Sequence, residues 1–195
     1  MKYSKTLVLV ALSMAALLAS TSIASATILT DAPVPIYTSV IKAESEGAIT
    51  MHGVVTLTCN STIEGSIEQH GNEITTGGST TSLTFTECGS FDVTVKNGGS
   101  LEIHTRESSP NGNGTLTSTG MQFTVNVTPL GISCVYTTFE TDIGTLTGSS
   151  ATGGTAKVDL EGSIPRTGGS VYCGTSSGPL TGTYKITTPD YLDVD

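Results

Sequence analysis

The sequence predicts an all-β protein, a single antiparallel β-sandwich of about nine to eleven short strands carrying two disulfides. Three observations predict it. Apolar and polar residues alternate with a period of two in segment after segment, Gly- and Asn-rich turns punctuate the segments, and four cysteines fall in a repeated order. Composition agrees. Thr (35), Ser (23) and Gly (23) fill roughly two-fifths of the 195 residues, far above average usage. Thr favours strands and Gly breaks helices, which excludes a helical bundle. Charged residues, at 13%, are too few for a coiled coil or a disordered acidic tail.

Residues 1–26 read as a secretory signal. Lys2 and Lys5 form the positive start, residues 7–18 are apolar apart from Ser13, and Ala24-Ser25-Ala26 supplies the small-residue cleavage pattern, with the cut between Ala26 and Thr27. About twelve apolar residues are too few to span a bilayer, which takes roughly 20. Cleavage removes Lys2 and Lys5 and moves the net charge from -9 to -11. That sign argues against nucleic acid and anionic membranes as partners, since both bind basic patches. No later apolar run is long enough for a transmembrane helix. The expected location is extracellular, secreted or at the surface of a bacterial cell.

Residues 27–47, with Pro33 and Pro35, read as an extended lead-in that pairs along an edge or stays mobile. The β-sandwich domain is expected over residues 48–195. In residues 49–59, Ile49, Met51, Val55, Leu57 and Cys59 share one phase, with Gly53 marking a bulge or bend. The same alternation puts Leu83 and Phe85 on one face, then Phe91, Val93 and Val95, then Leu101 and Ile103. It continues through Met121, Phe123, Val125 and Val127, then Ala156, Val158 and Leu160, then Tyr184 and Ile186. Asn97-Gly98-Gly99 and Asn111-Gly112-Asn113-Gly114 carry the chemistry of tight turns. An outer-membrane barrel also alternates, but it carries aromatic girdles, and this chain has no Trp and 5% aromatics.

Cys59 and Cys134 lie in strand patterns, whereas Cys88 and Cys173 are each followed by Gly. Between the members of each pair sit Thr-Gly-Gly segments, at residues 76–78, 152–154 and 167–169, read as turns. Of the three possible connectivities, only Cys59–Cys88 with Cys134–Cys173 respects this repeat, which suggests two related sheet halves. Closing loops of about 30 to 40 residues stabilises the fold by roughly 3.5 to 4 kcal/mol each through loop-closure entropy. A zinc site is disfavoured because no C-x-x-C pair is present and His52, His70 and His104 are remote from the cysteines in sequence.

No catalytic constellation emerges. Residues 174–178 match the G-x-S-x-G elbow around Ser176, but a strand pattern follows instead of a helix and every His precedes the Ser. Glu64 and Glu68 share one strand face, and His104 sits beside Glu102 and Arg106, as solvated outer faces do. Asp190, Asp193 and Asp195 form an acidic tail that lacks the spacing of a calcium loop. Sequons at Asn60, Asn113 and Asn126 arise readily in a chain this rich in Thr and Ser. No cofactor and no metal are expected.

The strand ending at Cys59, the segment Phe85-Thr86-Glu87-Cys88-Gly89 and the later Tyr172-Cys173-Gly174 stand in a Thr/Ser/Gly-rich exported chain. Together they resemble bacterial secreted proteins of the PraB-like group, named for a protein described as an activator of alkane oxidation. The resemblance implies a secreted or surface-associated β protein with matrix or adhesion roles and no catalytic residues to carry over. The expected function is therefore non-enzymatic: a secreted or cell-surface protein with a structural, matrix or adhesive role, self-associating through strand edges or binding cell-surface partners. The alternative is an extracellular binding module for a glycan or lipid, with Tyr136, Tyr172 and Tyr184 available for stacking. A secreted hydrolase, resting on Ser176 alone, is the least favoured reading.

Overall fold

Alternating Thr and aliphatic residues build strands almost throughout. The computed structural model describes residues 29–31, 34–35, 38–53, 56–68, 75–105, 113–174 and 178–194. Residues 1–26, the cleavage position at Thr27, His70, Arg106, Ser176 and Asp195 lie outside the described residues. In chain order the strands are β1 (Leu29–Asp31), β2 (Val34–Pro35), β3 (Thr38–Ser45), β4 (Ile49–His52), β5 (Thr56–Glu68), β6 (Thr75–Thr86), β7 (Phe91–Asn97) and β8 (Ser100–Thr105). They continue as β9 (Asn113–Thr119), β10 (Gln122–Val127), β11 (Ile132–Thr137), β12 (Thr141–Thr147), β13 (Lys157–Leu160), β14 (Ser163–Ile164), β15 (Arg166–Gly169), β16 (Gly178–Thr188) and β17 (Asp193–Val194). One short helix, α1 (Ser149–Thr152), and 3-10 turns at Thr128–Leu130 and Val171–Cys173 interrupt them.

The all-β, antiparallel class holds, but the sandwich does not. Eight strands close into a barrel in the order β13-β12-β9-β8-β6-β5-β3-β16, and β16 pairs back onto β13. Two features close it. β16 is long enough to pair with β13 on one side and β3 on the other. β3, which falls in the expected lead-in, pairs with both β5 and β16 and is a full stave of the barrel. Ala43, Leu83, Ile103, Val158 and Ile186 are buried, while their neighbours Glu44, Thr84, Glu102, Asp159 and Lys185 are exposed. An apolar interior and a polar wall are the reverse of a membrane-spanning barrel, whose outer band is apolar.

The run 49–59 is two strands. β4 folds back on β5 with Ile49 opposite Cys59 and Met51 opposite Leu57, so Gly53 lies in a reversal of the chain, not in a bulge within one strand. The alternation survives because paired residues of a hairpin share a face. Thr76-Gly77-Gly78 is not a turn either. It lies inside β6, where a Cβ at Gly78 would overlap the Ser66 carbonyl of β5. Thr167-Gly168-Gly169 likewise lies in β15, while the expected turn at 152–154 holds, with Gly153 at φ +66°.

A second, open sheet runs β15-β11-β10-β7. The chain leaves the barrel for it three times, between β6 and β8, between β9 and β12, and between β13 and β16. Phe123 of β10 sits 5.6 Å from the ring of Phe85 in β6 and 5.5 Å from Tyr136 in β11. One apolar cluster therefore runs from the barrel into this sheet. At the corner between them, the fully buried Ser118 and Thr138 hydroxyls lie 3.0 Å apart and the Met121 N–H donates to Thr138 Oγ1 at 3.0 Å. Such pairing removes the cost of burying these polar groups.

The disulfides are Cys59–Cys88 and Cys134–Cys173, the connectivity read from the sequence. The two are not equivalent halves of one repeat. The first ties β5 to the loop after β6, and the second ties β11 to the 3-10 turn that follows β15. Two disulfides fit a chain that matures in an oxidising compartment. Replacing Cys134 and Cys173 together by Ala should lower stability by about 3–5 kcal/mol in denaturant titrations; a loss below about 1 kcal/mol would mean that β15 and its turn are held by packing alone.

Candidate functional site

The eight staves do not fill the barrel. An apolar cavity of about 80 Å³ lies inside it, with aliphatic walls from Ile41 and Ala43 of β3, Ile63 and Ile67 of β5, Leu101 and Ile103 of β8, and Leu146 of β12. The space exists because the wall between β5 and β6 is nearly bare backbone at Gly65, Gly77 and Gly78. These glycines are dictated by close approach: a Cβ at Gly65 would stand 2.8 Å from the Ser79 carbonyl oxygen. A second apolar cavity of about 40 Å³ lies toward the open sheet, between Met51, Leu57, Phe85 and Phe123. Ile63, Ile143, Leu160 and Tyr184 line both and form the partition.

Leu192 is the one residue lining the larger cavity that does not come from a stave. It belongs to the C-terminal segment that follows β16, and it is 1% exposed. Two backbone contacts pin it to α1. The Leu192 N–H donates to Ser149 Oγ at 2.9 Å, and the Leu192 carbonyl accepts from the Ser149 N–H at 2.8 Å. Beyond it, β17 pairs with β1, so part of the lead-in holds the tail in place.

The partition carries one polar group. Ser61 Oγ donates to the Thr84 carbonyl at 2.9 Å and lies beside the Tyr184 hydroxyl. Burial pushes the Tyr184 phenol up to about 12, an effect the Ser61 contact partly offsets. Burial also raises the Tyr136 phenol, against the opposing charge of Arg166. Both phenols are therefore neutral at ordinary pH, and neither is an ionised base or nucleophile.

The residues singled out by sequence fall elsewhere. His52 is exposed, with Thr56 Oγ1 3.4 Å from its Nδ1, and His104 lies 3.6 Å from Glu102 on the outer wall. Glu64 meets Lys42 at 3.6 Å on the solvated face, and the Glu68 side chain is outside the description. Among the described residues no three His, Cys, Asp or Glu side chains gather as a metal site. Glu102, His104, Glu140 and Asp142 line an open concavity on the barrel's outer wall, where Asp142 accepts a 2.6 Å hydrogen bond from Thr117. Of the three tyrosines read as stacking platforms, Tyr136 and Tyr184 are buried and Tyr172 is exposed. Sequence reasoning missed Leu192. It stands alone between Tyr191 and Asp193, so no periodicity marks it as core.

Tyr184 makes the interior testable by pH. An unfolded chain ionises tyrosine near 10.0, whereas folded Tyr184 keeps its proton to about 12. Between these values the folded state binds the extra proton, so stability is full below about pH 10 and falls by about 2–3 kcal/mol as pH climbs through 12. Tyr184→Phe should flatten much of this alkaline slope in denaturant titrations from pH 9 to 12. An unchanged slope would place the titrating group elsewhere.

The chain matches no protein-family model, no curated protein and no solved structure.

Proposed function

We propose that the protein is an extracellular, non-enzymatic binding protein that takes a small apolar molecule, or the end of an aliphatic chain, into its barrel. The observation that carries this reading is the apolar cavity bounded by Leu192, a residue of the tail and not of the barrel. Eight-stranded barrels are just wide enough to be filled by side chains or to hold one small ligand. Here the filling is incomplete, and its last element can be withdrawn without breaking a stave. An apolar cavity of ~150 Å³ is known to stay dry and admit benzene; the present one is about 80 Å³. A ligand of that size therefore takes the place of the Leu192 side chain, with Ser149 as the latch that sets how readily the tail leaves. An apolar ligand is favoured over a glycan because two of the three candidate stacking tyrosines are buried.

A second reading keeps the structural or adhesive role. It is supported by the open four-stranded sheet, since barrel closure removes the edges of the other eight strands. The charged outer wall and the export signal read from the sequence fit both readings.

The binding reading is tested with benzene and 1-octanol as probes, followed by methyl NMR of Ile41, Leu146 and Leu192. Saturable shifts at these methyls are expected, strengthened by about tenfold in Ser149→Ala, which loosens the tail by one hydrogen bond. Ala43→Phe, which fills the cavity, should abolish them while the fold persists. Methyls that stay unmoved by both probes in the wild type and in Ser149→Ala would overturn the reading.

A further inference from the structure

Of the two edges of the open sheet, β15 and β7, the β7 edge carries a self-complementary pattern. β7 reads Phe91-Asp92-Val93-Thr94-Val95-Lys96-Asn97. β10 pairs with one side of it, and among the described residues no strand pairs with the other. Phe91, Val93 and Val95 turn inward against the core cluster, while Asp92, Thr94 and Lys96 are exposed on the outer face. A bulge against β10 at Lys96 leaves that side chain exposed with the other two. Asp92 is 3.4 Å from the Asn126 amide, and Lys96 has no charged partner among the described residues.

If two such edges meet antiparallel about Thr94, Asp92 of each copy faces Lys96 of the other and Val93 faces Val95. Cross-strand opposite charges attract and like charges directly opposite repel, so this register is selected over its neighbours. A lone lysine on an edge commonly wards off pairing. Here the acid that neutralises it stands two residues beyond the dyad, on the same strand. We infer that the protein forms a two-fold dimer through β7, its partner being a second copy of this chain, and the two open sheets joining into one of eight strands. The contact is isologous and uses up the β7 edge of both copies, so pairing through β7 closes at a dimer. The inference gives the self-association reading a definite partner and is independent of the ligand reading.

Sedimentation of the purified protein at low ionic strength, from ~10 µM to ~1 mM, tests it together with three variants. Asp92→Lys and Lys96→Asp each place like charges opposite one another twice, and each should weaken the dimer by about tenfold or more. An equimolar mixture of the two variants should recover a heterodimer, because the introduced charges then complement one another. Thr94→Cys, on the dyad, should give a disulfide-linked dimer under oxidising conditions. A monomer throughout the range overturns both the inference and self-association. A dimer indifferent to the charge reversals, or reversals not rescued by mixing, overturns pairing through β7 and leaves self-association to another surface.

Discussion

The ladder between β13 and β16 turns a curved sheet into a closed one: Val158 faces Tyr184 and Leu160 faces Gly182. Four residue pairs suffice because the staves around them already enclose an apolar interior. Closure satisfies the backbone groups of both strands and removes the edges on which other chains would pair. It also decides what the interior can be. Once the circle is complete, the inward side chains must fill a fixed space, and the glycine wall of Gly65, Gly77 and Gly78 leaves part of it empty.

Much of this is legible in the residues and part of it is not. The buried phase of Met121, Phe123, Val125 and Val127 is readable because period-two alternation places them on one face. The disulfide connectivity is readable because the cysteines recur with the same neighbours. Barrel closure is not readable, since it depends on which edges meet, and pairing of β13 with β16 leaves no local mark. The Thr-Gly-Gly at 76–78 looks like a turn because Gly is common in turns, yet here it marks two backbones in close approach. Ile143 and Leu146 of β12 are both buried although three residues apart, because a register shift between Asp142 and Gly144 breaks the alternation.

Two levels of the molecule bear on the function proposed for it. The interior is apolar and is bordered by a tail held by two hydrogen bonds to Ser149 and by the pairing of β17 with β1. The exterior is polar around the barrel and open along the second sheet, whose edge strands are β7 and β15. The disulfides brace the second sheet from both sides. Cys59–Cys88 anchors the turn that leads into β7, and Cys134–Cys173 holds the far side of the same sheet.

The central claim is that the closed barrel encloses a dry apolar site next to Leu192. Crystals of the protein pressurised with xenon test it most directly. The expected result is a xenon atom between Leu146, Ile103 and Leu192, with the β13–β16 ladder intact around it. Ordered water filling that space, or an open seam between β13 and β16, would contradict the account.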